Sequence, residues 1–384
     1  VTGMSGLEGV RELFPITQEL VYLDNAHQAP LSSLVRRELD RFYDDAEWRA
    51  GPKEKWAIRV EEVRVALAAF LGTTPDTIAF TKNTSEGVNI AATTLPWRPG
   101  DNVVLMAGEH ANLAYGWMHQ RRNGLEVRVV PAASEGADGE TFRPVVDAQT
   151  RAVAVSHVAY DTGQRNDIAS IGRLCADRGI PLVVDAMQSV GVFPVEAEGV
   201  DWLAAGCHKG LLTPHGLGFV HRAPRFAELV PTYVAAASIE GSPHDPEVSF
   251  DTEIALSLTA RRLEIGNLNY AAIHALGASL DLIGQVGLAT ITERVLALGD
   301  YLDGELAPLG VEPIGPTRRD RRSHIRVLDL PGTGWQDYLA DRAIRVTEVR
   351  DRVRVSFGLF TAEEDIDALV RAIGDRLRHG ALGN

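Results

Sequence analysis

The sequence predicts an α/β fold: a large domain built on a mostly parallel sheet, followed by a smaller α+β domain at the C-terminal end. Three observations predict it. Short apolar segments alternate with helix-period segments between residues 77 and 222, the pattern of a parallel sheet covered on both faces. Beyond about residue 275 this gives way to long helical stretches with a few short strands. At 384 residues and 45% apolar composition, the chain can bury a sizeable core and is long enough for two domains. The large domain is placed at 20–275 and the small domain at 276–384, together with 1–19.

Taken in order, strands are expected at 77–81, 102–106, 127–130, 152–157, 181–185, 202–205 and 217–221. Each is a short apolar run bounded by turn residues. Helical patterns lie between several of them, at 86–94, 114–123 and 168–178. Ligands of such sheets bind beyond the carboxyl ends of the strands. Asp185, His157, the Thr84 region and Lys209 all follow strand ends, so one pocket is expected to collect them. Further on, a long helix is expected through 278–306, stopping before Pro308, because proline cannot continue a helix. Strands at 323–328 and 353–357 flank a short helix at 334–341. The last helix opens on Thr361-Ala362-Glu363-Glu364, the form of a capping box. Its Ile366, Leu369, Val370, Ile373 and Leu377 recur at helical spacing.

Composition narrows the function. A formal net charge of −14 argues against a nucleic-acid-binding face, which needs a basic surface. The basic run Arg318-Arg319-Asp320-Arg321-Arg322 reads as a solvated loop. Two cysteines, Cys175 and Cys207, support neither a disulfide framework nor a zinc site of paired cysteines, and no metal is expected. No stretch is long and apolar enough to span a membrane, and a start containing Glu8, Arg11 and Glu12 lacks the form of a signal peptide. A cytoplasmic protein is the expectation.

The chain has four lysines, Lys53, Lys55, Lys82 and Lys209, and fills most other basic positions with arginine. Lys209 stands in the apolar stretch 202–210, where solubility does not explain it. Upstream, 181–185 reads as a buried strand ending in Asp185. A strand ending in Asp, a second apolar strand and then His208-Lys209 suit pyridoxal phosphate chemistry: the amine forms a Schiff base with the aldehyde, and the carboxylate keeps the pyridine nitrogen protonated. The strand at 77–81 leads through Lys82-Asn83 to Thr84-Ser85 at a helix start. Free N–H groups and two hydroxyls make a phosphate site there; an ordinary Ser/Thr N-cap has the same signature. His110, after Glu109, can stack on a flat aromatic cofactor, His208 can donate to a phosphate, and Gln188 can reach a phenolic oxygen. By alternation Arg352 and Arg354 share one face of an expected strand. Arg354 there can grip a substrate carboxylate at two points, with a surface salt bridge as the alternative.

The joint order of these features resembles the class V branch of fold-type-I pyridoxal phosphate enzymes, which includes cysteine desulfurases, selenocysteine lyases, kynureninases and isopenicillin-N epimerase-like proteins. The resemblance runs from Val21-Tyr22-Leu23-Asp24-Asn25-Ala26 through Asn83-Thr84-Ser85-Glu86-Gly87, Glu109-His110, Asp185-Ala186-Met187-Gln188-Ser189 and His208-Lys209. It ends on Arg262-Leu263-Glu264-Ile265-Gly266-Asn267, Arg354-Val355-Ser356 and Glu363-Glu364-Asp365. It implies that Lys209 is the Schiff-base lysine, Asp185 the pyridinium partner, Gln188 the donor near the phenolic oxygen and His110 the stacking residue. It implies that Thr84, Ser85 and His208 bind the phosphate and that Arg354 binds the substrate carboxylate. Tyr270 falls where a hydroxyl reaches the phosphate of the partner subunit's cofactor, which implies a homodimer with shared sites.

The departures are as informative. Desulfurases of this family carry a nucleophilic cysteine shortly before the Arg354 position, and residues 342–353 contain none. Tyr160 stands where desulfurases have asparagine, in a segment similar to that of kynureninases and epimerase-like members. Gly206 replaces a side-chain phosphate ligand found in some relatives. The carbanion chemistry shared by the family leaves β-elimination, aminotransfer, decarboxylative deamination and epimerisation open, with His27 or Tyr160 as acid on the second face for the last. The favoured expectation is a lyase on a cysteine-derived or otherwise β-substituted amino acid. A catalytically idle homologue is the alternative of another class, against which Lys209 and Asp185 both stand. A nucleotide-binding protein is disfavoured by the lack of a Gly-x-Gly-x-x-Gly or phosphate-loop motif.

Overall fold

The structure, a computed structural model, describes residue 7 and residues 9–241 and 253–381. The remaining residues of the segments assigned above, 1–6, 8, 242–252 and 382–384, lie outside the described residues.

Strand β1 (Val21–Tyr22) comes first. The main sheet then forms from β2 (Ile78–Thr81), β3 (Asn102–Met106), β4 (Glu126–Val130), β5 (Thr150–Ser156), β6 (Leu182–Asp185), β7 (Trp202–Gly206) and β8 (Gly218–Arg222). Its spatial order is β2-β8-β7-β6-β5-β3-β4. Strands β3 to β7 are parallel to one another, while β8 runs antiparallel to both β7 and β2. The central strands are buried along their whole length, which is why they read as unbroken apolar runs. Edge strand β4 instead exposes Glu126, with Arg128 paired to it at 3.1 Å, and charge on an edge discourages further pairing.

Helices Thr84–Thr94, Ala111–His119 and Ile168–Arg178 follow their strands as the periodicity predicts. Gly87 lets the first of them lie directly on the sheet. A Cβ at Gly87 would come 2.6 Å from Val220 and 2.9 Å from Ala204, closer than packed atoms allow. Trp202 Nε1 donates to the Gly87 carbonyl at 2.9 Å and locks that approach.

The helix expected through 278–306 is two helices, Tyr270–Val286 and Leu288–Leu306, meeting at 75°. The break is Gly287, at φ 86°, a conformation that glycine adopts without a Cβ clash. Hydrophobic spacing continues across the break, so periodicity alone reads one helix. Ile273, Leu276, Leu280 and Ile283 of the first join the core under the main sheet. Val295, Leu298 and Leu302 of the second join the core of the C-terminal layer.

That layer is an antiparallel sheet of β9 (Pro313–Ile314), β10 (Ile325–Leu328), β12 (Thr347–Val349) and β13 (Arg352–Ser356), in the order β12-β13-β10-β9. Strand β11 (Ile344–Arg345) pairs in parallel with β1, and Asp24 bridges to Ser356. The last helix, Glu363–Ala381, packs on this layer through Ile366, Leu369 and Ile373. Its start differs from the expected capping box. Asp365 accepts from the Ala362 amide at 2.9 Å, and Thr361 Oγ1 accepts from the Gly358 amide at 2.9 Å. Arg11 fixes Asp365 with an ion pair of 2.7 Å. The run 318–322 is less free than a solvated loop: Arg319 is held by Glu293 and Asp300, and Arg322 by Asp300. Among the described residues no single helix is long and apolar enough to cross a membrane.

Candidate active site

A cavity of about 730 Å³ opens beyond the carboxyl ends of β5, β6 and β7. It is lined by His27, Thr84, Ser85, His110, Tyr160, Asp185, Gln188, His208, Lys209 and Arg354, brought together from both layers. Asp185 is the last residue of β6, and Lys209 follows β7. Two predicted positions fall elsewhere. His157 is turned to a separate cavity of about 370 Å³ with Arg165 and Asp167, because Ser156, one residue earlier, takes the inward face of the pleat. Tyr270 begins its helix outside the cavity, 6.1 Å from the Trp56 ring. Its neighbour Asn269 donates to the Gly216 carbonyl at 3.1 Å, on the cavity's own loop.

The helix start at Thr84 settles the capping alternative. Asn83, not a hydroxyl, is the N-cap: its side chain accepts from the Glu86 amide at 3.0 Å. Thr84 and Ser85, at the start of this 11-residue helix, therefore line the cavity with hydroxyls uncommitted to capping, which suits a phosphate. Gly206, the last residue of β7, lies beside Thr84. A Cβ there would meet Met187 Sδ at 3.0 Å and Thr84 Oγ1 at 3.4 Å, so the position lost as a side-chain ligand keeps the cradle open.

Other polar groups await partners. Arg354 is 5% exposed, donates to the Tyr160 carbonyl at 3.1 Å and stands 3.7 Å from Asp24. Its Nε, itself buried, has no hydrogen-bond partner among the described residues. Gln188 donates to the Ala26 carbonyl at 2.9 Å while its Oε1 has no partner among the described residues. His110 caps its helix by accepting from the Asn112 amide at 3.1 Å and meets Tyr160 edge-on with centroids 4.9 Å apart. Buried polar groups are normally satisfied; unpartnered ones around one cavity fit a polar ligand. An amine, a buried carboxylate, a phosphate cradle and a buried arginine are the donor set that pyridoxal phosphate and an amino acid require.

The electrostatics agree with that chemistry. Burial pushes Asp185 up to about 6, against the Met187 amide at 2.8 Å and the Lys209 charge, which lower it. It stays ionised near neutral pH. Burial, with Arg354, pulls Lys209 down to about 8, against the pull of Asp185 and Asp24. Burial likewise drops His208 to about 3, helped by His215. A depressed lysine is a nucleophile at mild pH. In competitive acylation of the cofactor-free protein, Lys209 should therefore titrate near pH 8, being protonated below and reactive above. A Lys209 that stays unreactive until well above pH 8 would refute the assignment of an activated amine.

Sequence reasoning missed His215 and gave Glu109 no role. His215 stacks on His208 with centroids 4.0 Å apart and lines the cavity. Its only signal was a turn, Pro214-His215-Gly216, before a strand. Glu109 accepts from the Ser156 amide at 2.9 Å and from its hydroxyl, and burial raises it to about 7.

Known proteins agree with this fold. The family model Aminotransferase class-V matches residues 21–369. An uncharacterized protein of Schizosaccharomyces pombe, C11D3.10, is 34% identical over 97% of this chain and 88% of its own length. The apo structure of a cysteine desulfurase from Thermococcus onnurineus superposes with a TM-score of 0.89 at 25% identity, covering 99% of this chain and all of that one. The cystine C–S lyase C-DES, solved with its product cysteine persulfide, shares the fold: TM-score 0.86, 23% identity, 94% of this chain and 99% of that one. A mutant of that lyase carries glycine covalently linked to its pyridoxal phosphate cofactor. The chain belongs to the class-V aminotransferase family and is an enzyme of that family.

Proposed function

We propose that this enzyme binds pyridoxal 5′-phosphate and cleaves the C–S bond of a cysteine-derived or otherwise β-substituted amino acid, releasing a thiol by β-elimination. The observation that carries it is the convergence of Lys209, Asp185 and Arg354 on one cavity. Thr84, Ser85 and His208 hold the phosphate, His110 covers the ring, Gln188 faces the phenolic oxygen and Asp185 the pyridine nitrogen. Bound there, the cofactor supplies an electron sink for the substrate Cα. Arg354 fixes the α-carboxylate with His27 and Tyr160 alongside. Lys209 Nζ takes the Cα proton. The Cβ–S pair leaves with sulfur, and water completes release of ammonia and a pyruvate-type keto acid.

Thiol release without an enzyme persulfide is supported by the cysteines. Cys175 and Cys207 are both buried, and burial lifts Cys175 to about 12 and Cys207 well above the ordinary thiol range. A thiol so held is a poor nucleophile. A panel of S-substituted cysteines tests the reading. Free thiol, keto acid and ammonia should appear in equal amounts, and the matching carboxylate-free cysteamine derivatives should be left untouched. Sulfur found on Cys207 by mass spectrometry, or a keto acid formed with the C–S bond intact, would replace it with a desulfurase or an aminotransferase.

We also propose that two copies share their sites, with Tyr270 reaching the partner's phosphate. Mixing Lys209→Ala and Tyr270→Phe subunits should restore activity, since the mixed dimer regains one intact site. No recovery in a mixture shown to exchange subunits would place Tyr270 elsewhere.

A further inference from the structure

Strands β12 and β13 are joined by a two-residue turn whose residues, Arg350 and Asp351, both have positive φ, 52° and 61°. Such turns are ordinarily made with Asn-Gly or Asp-Gly, because other side chains disfavour the left-handed region. Arginine at its first position is not what the turn requires. An outlier of this kind beside a cavity points to the side chain as its reason.

The side chain is held against a residue of the cavity wall. Arg350 Nη1 lies 2.9 Å from Asp161 Oδ2, and its Cζ lies 6.0 Å from the centre of the Tyr160 ring. Tyr160 and Val349, the residue before Arg350, both line the cavity. Asp161 is buried, whereas Arg350 is 56% exposed. A guanidinium has five donors in a rigid fork, so one contact to Asp161 fixes its position without exhausting it. Arg354 follows four residues later on the same hairpin and is 5% exposed. One hairpin thus carries an arginine that lines the cavity and another beside the cavity-lining Tyr160, one residue past the cavity-lining Val349. Arg352, between them, stands 3.9 Å from Asp329 instead.

We propose that Arg350 binds a second anionic group of the substrate, so that the preferred amino acid carries a carboxylate on the arm attached to Cβ. Arg354 takes the α-carboxylate and Arg350 the distal one, with the reacting carbons between them. This deepens the proposed function and rests on the cavity being an amino-acid site, whichever bond is broken.

The test uses binding alone. S-carboxymethyl-α-methylcysteine and its S-carbamoylmethyl counterpart differ only in an acid against an isosteric amide, and the α-methyl group removes the proton that reaction needs. Calorimetry on the cofactor-loaded enzyme should show the acid binding at least ~10-fold more tightly, as a charge-assisted contact predicts. Arg350→Gln should bring the ratio to about 1 while moving the amide's affinity less than ~2-fold, and Arg350→Lys should fall between. Equal binding of the two ligands by the wild type, or an unchanged ratio in Arg350→Gln, overturns the role of Arg350 and leaves the amino-acid site standing. Failure of both ligands to bind the wild type overturns the amino-acid reading and this inference with it.

Discussion

Replacing Lys209 by alanine should lower turnover at least ~1000-fold, within the range set by loss of a positioned proton-transfer group. The loss follows from placement. Lys209 reaches a cavity that also holds Asp185 and Arg354, and burial there pulls its amine to about 8, within reach of its neutral form. The rival is Lys82, which lines the same cavity but is exposed. Borohydride reduction of the cofactor-loaded protein, followed by peptide mapping, separates the two. The mark should fall on Lys209; a mark on Lys82, or a Lys209→Ala enzyme with near-normal turnover, sinks the assignment.

Asp185→Asn should cost about 100-fold in rate, roughly 2.7 kcal/mol of transition-state stabilisation. The substitution keeps the shape and removes the charge. The wild-type carboxyl sits at about 6, because burial opposes ionisation more than Met187 and Lys209 favour it. It is ionised above that value and neutral below. Affinity of the cofactor-free enzyme for pyridoxal phosphate should accordingly fall as pH drops through about 6, and Asp185→Asn should lack that acidic limb. A variant with an unchanged rate and an unchanged limb would show that no charge is needed at this position.

The parts of this architecture legible in the sequence are those written in local pattern. Buried parallel strands leave unbroken apolar runs, so β3 and β6 are visible, and with them Asp185 at a strand end. The parallel arrangement then places every such end on one edge, which is why His110, Lys209 and the Thr84 helix meet. What was illegible depends on geometry of one residue at a time. His157 and Ser156 exchange faces through a single step of the pleat. Gly287 breaks a helix whose apolar spacing continues on both sides. The pairing of His215 with His208 joins a turn to a strand end by stacking, for which no spacing rule exists. Asn83 rather than Thr84 caps the helix because both residue types serve equally well as caps, and only the fold decides which one is turned outward.

Residues 21–29 have a mechanical meaning. At one end β1 is hydrogen-bonded to β11, and the Ala26 amide donates to Ser356 Oγ at 2.8 Å. The carbonyl of the same Ala26 accepts from Gln188, and three residues on the Ala29 amide donates to the His208 carbonyl at 3.1 Å. The same short segment is thus riveted to the C-terminal sheet and to the two strand-end loops of the main sheet, with His27 on the cavity wall between the rivets. Sliding one layer over the other would have to tear these hydrogen bonds. Reactants therefore enter a vessel of fixed walls, and adaptation to their shape falls to side chains at the mouth.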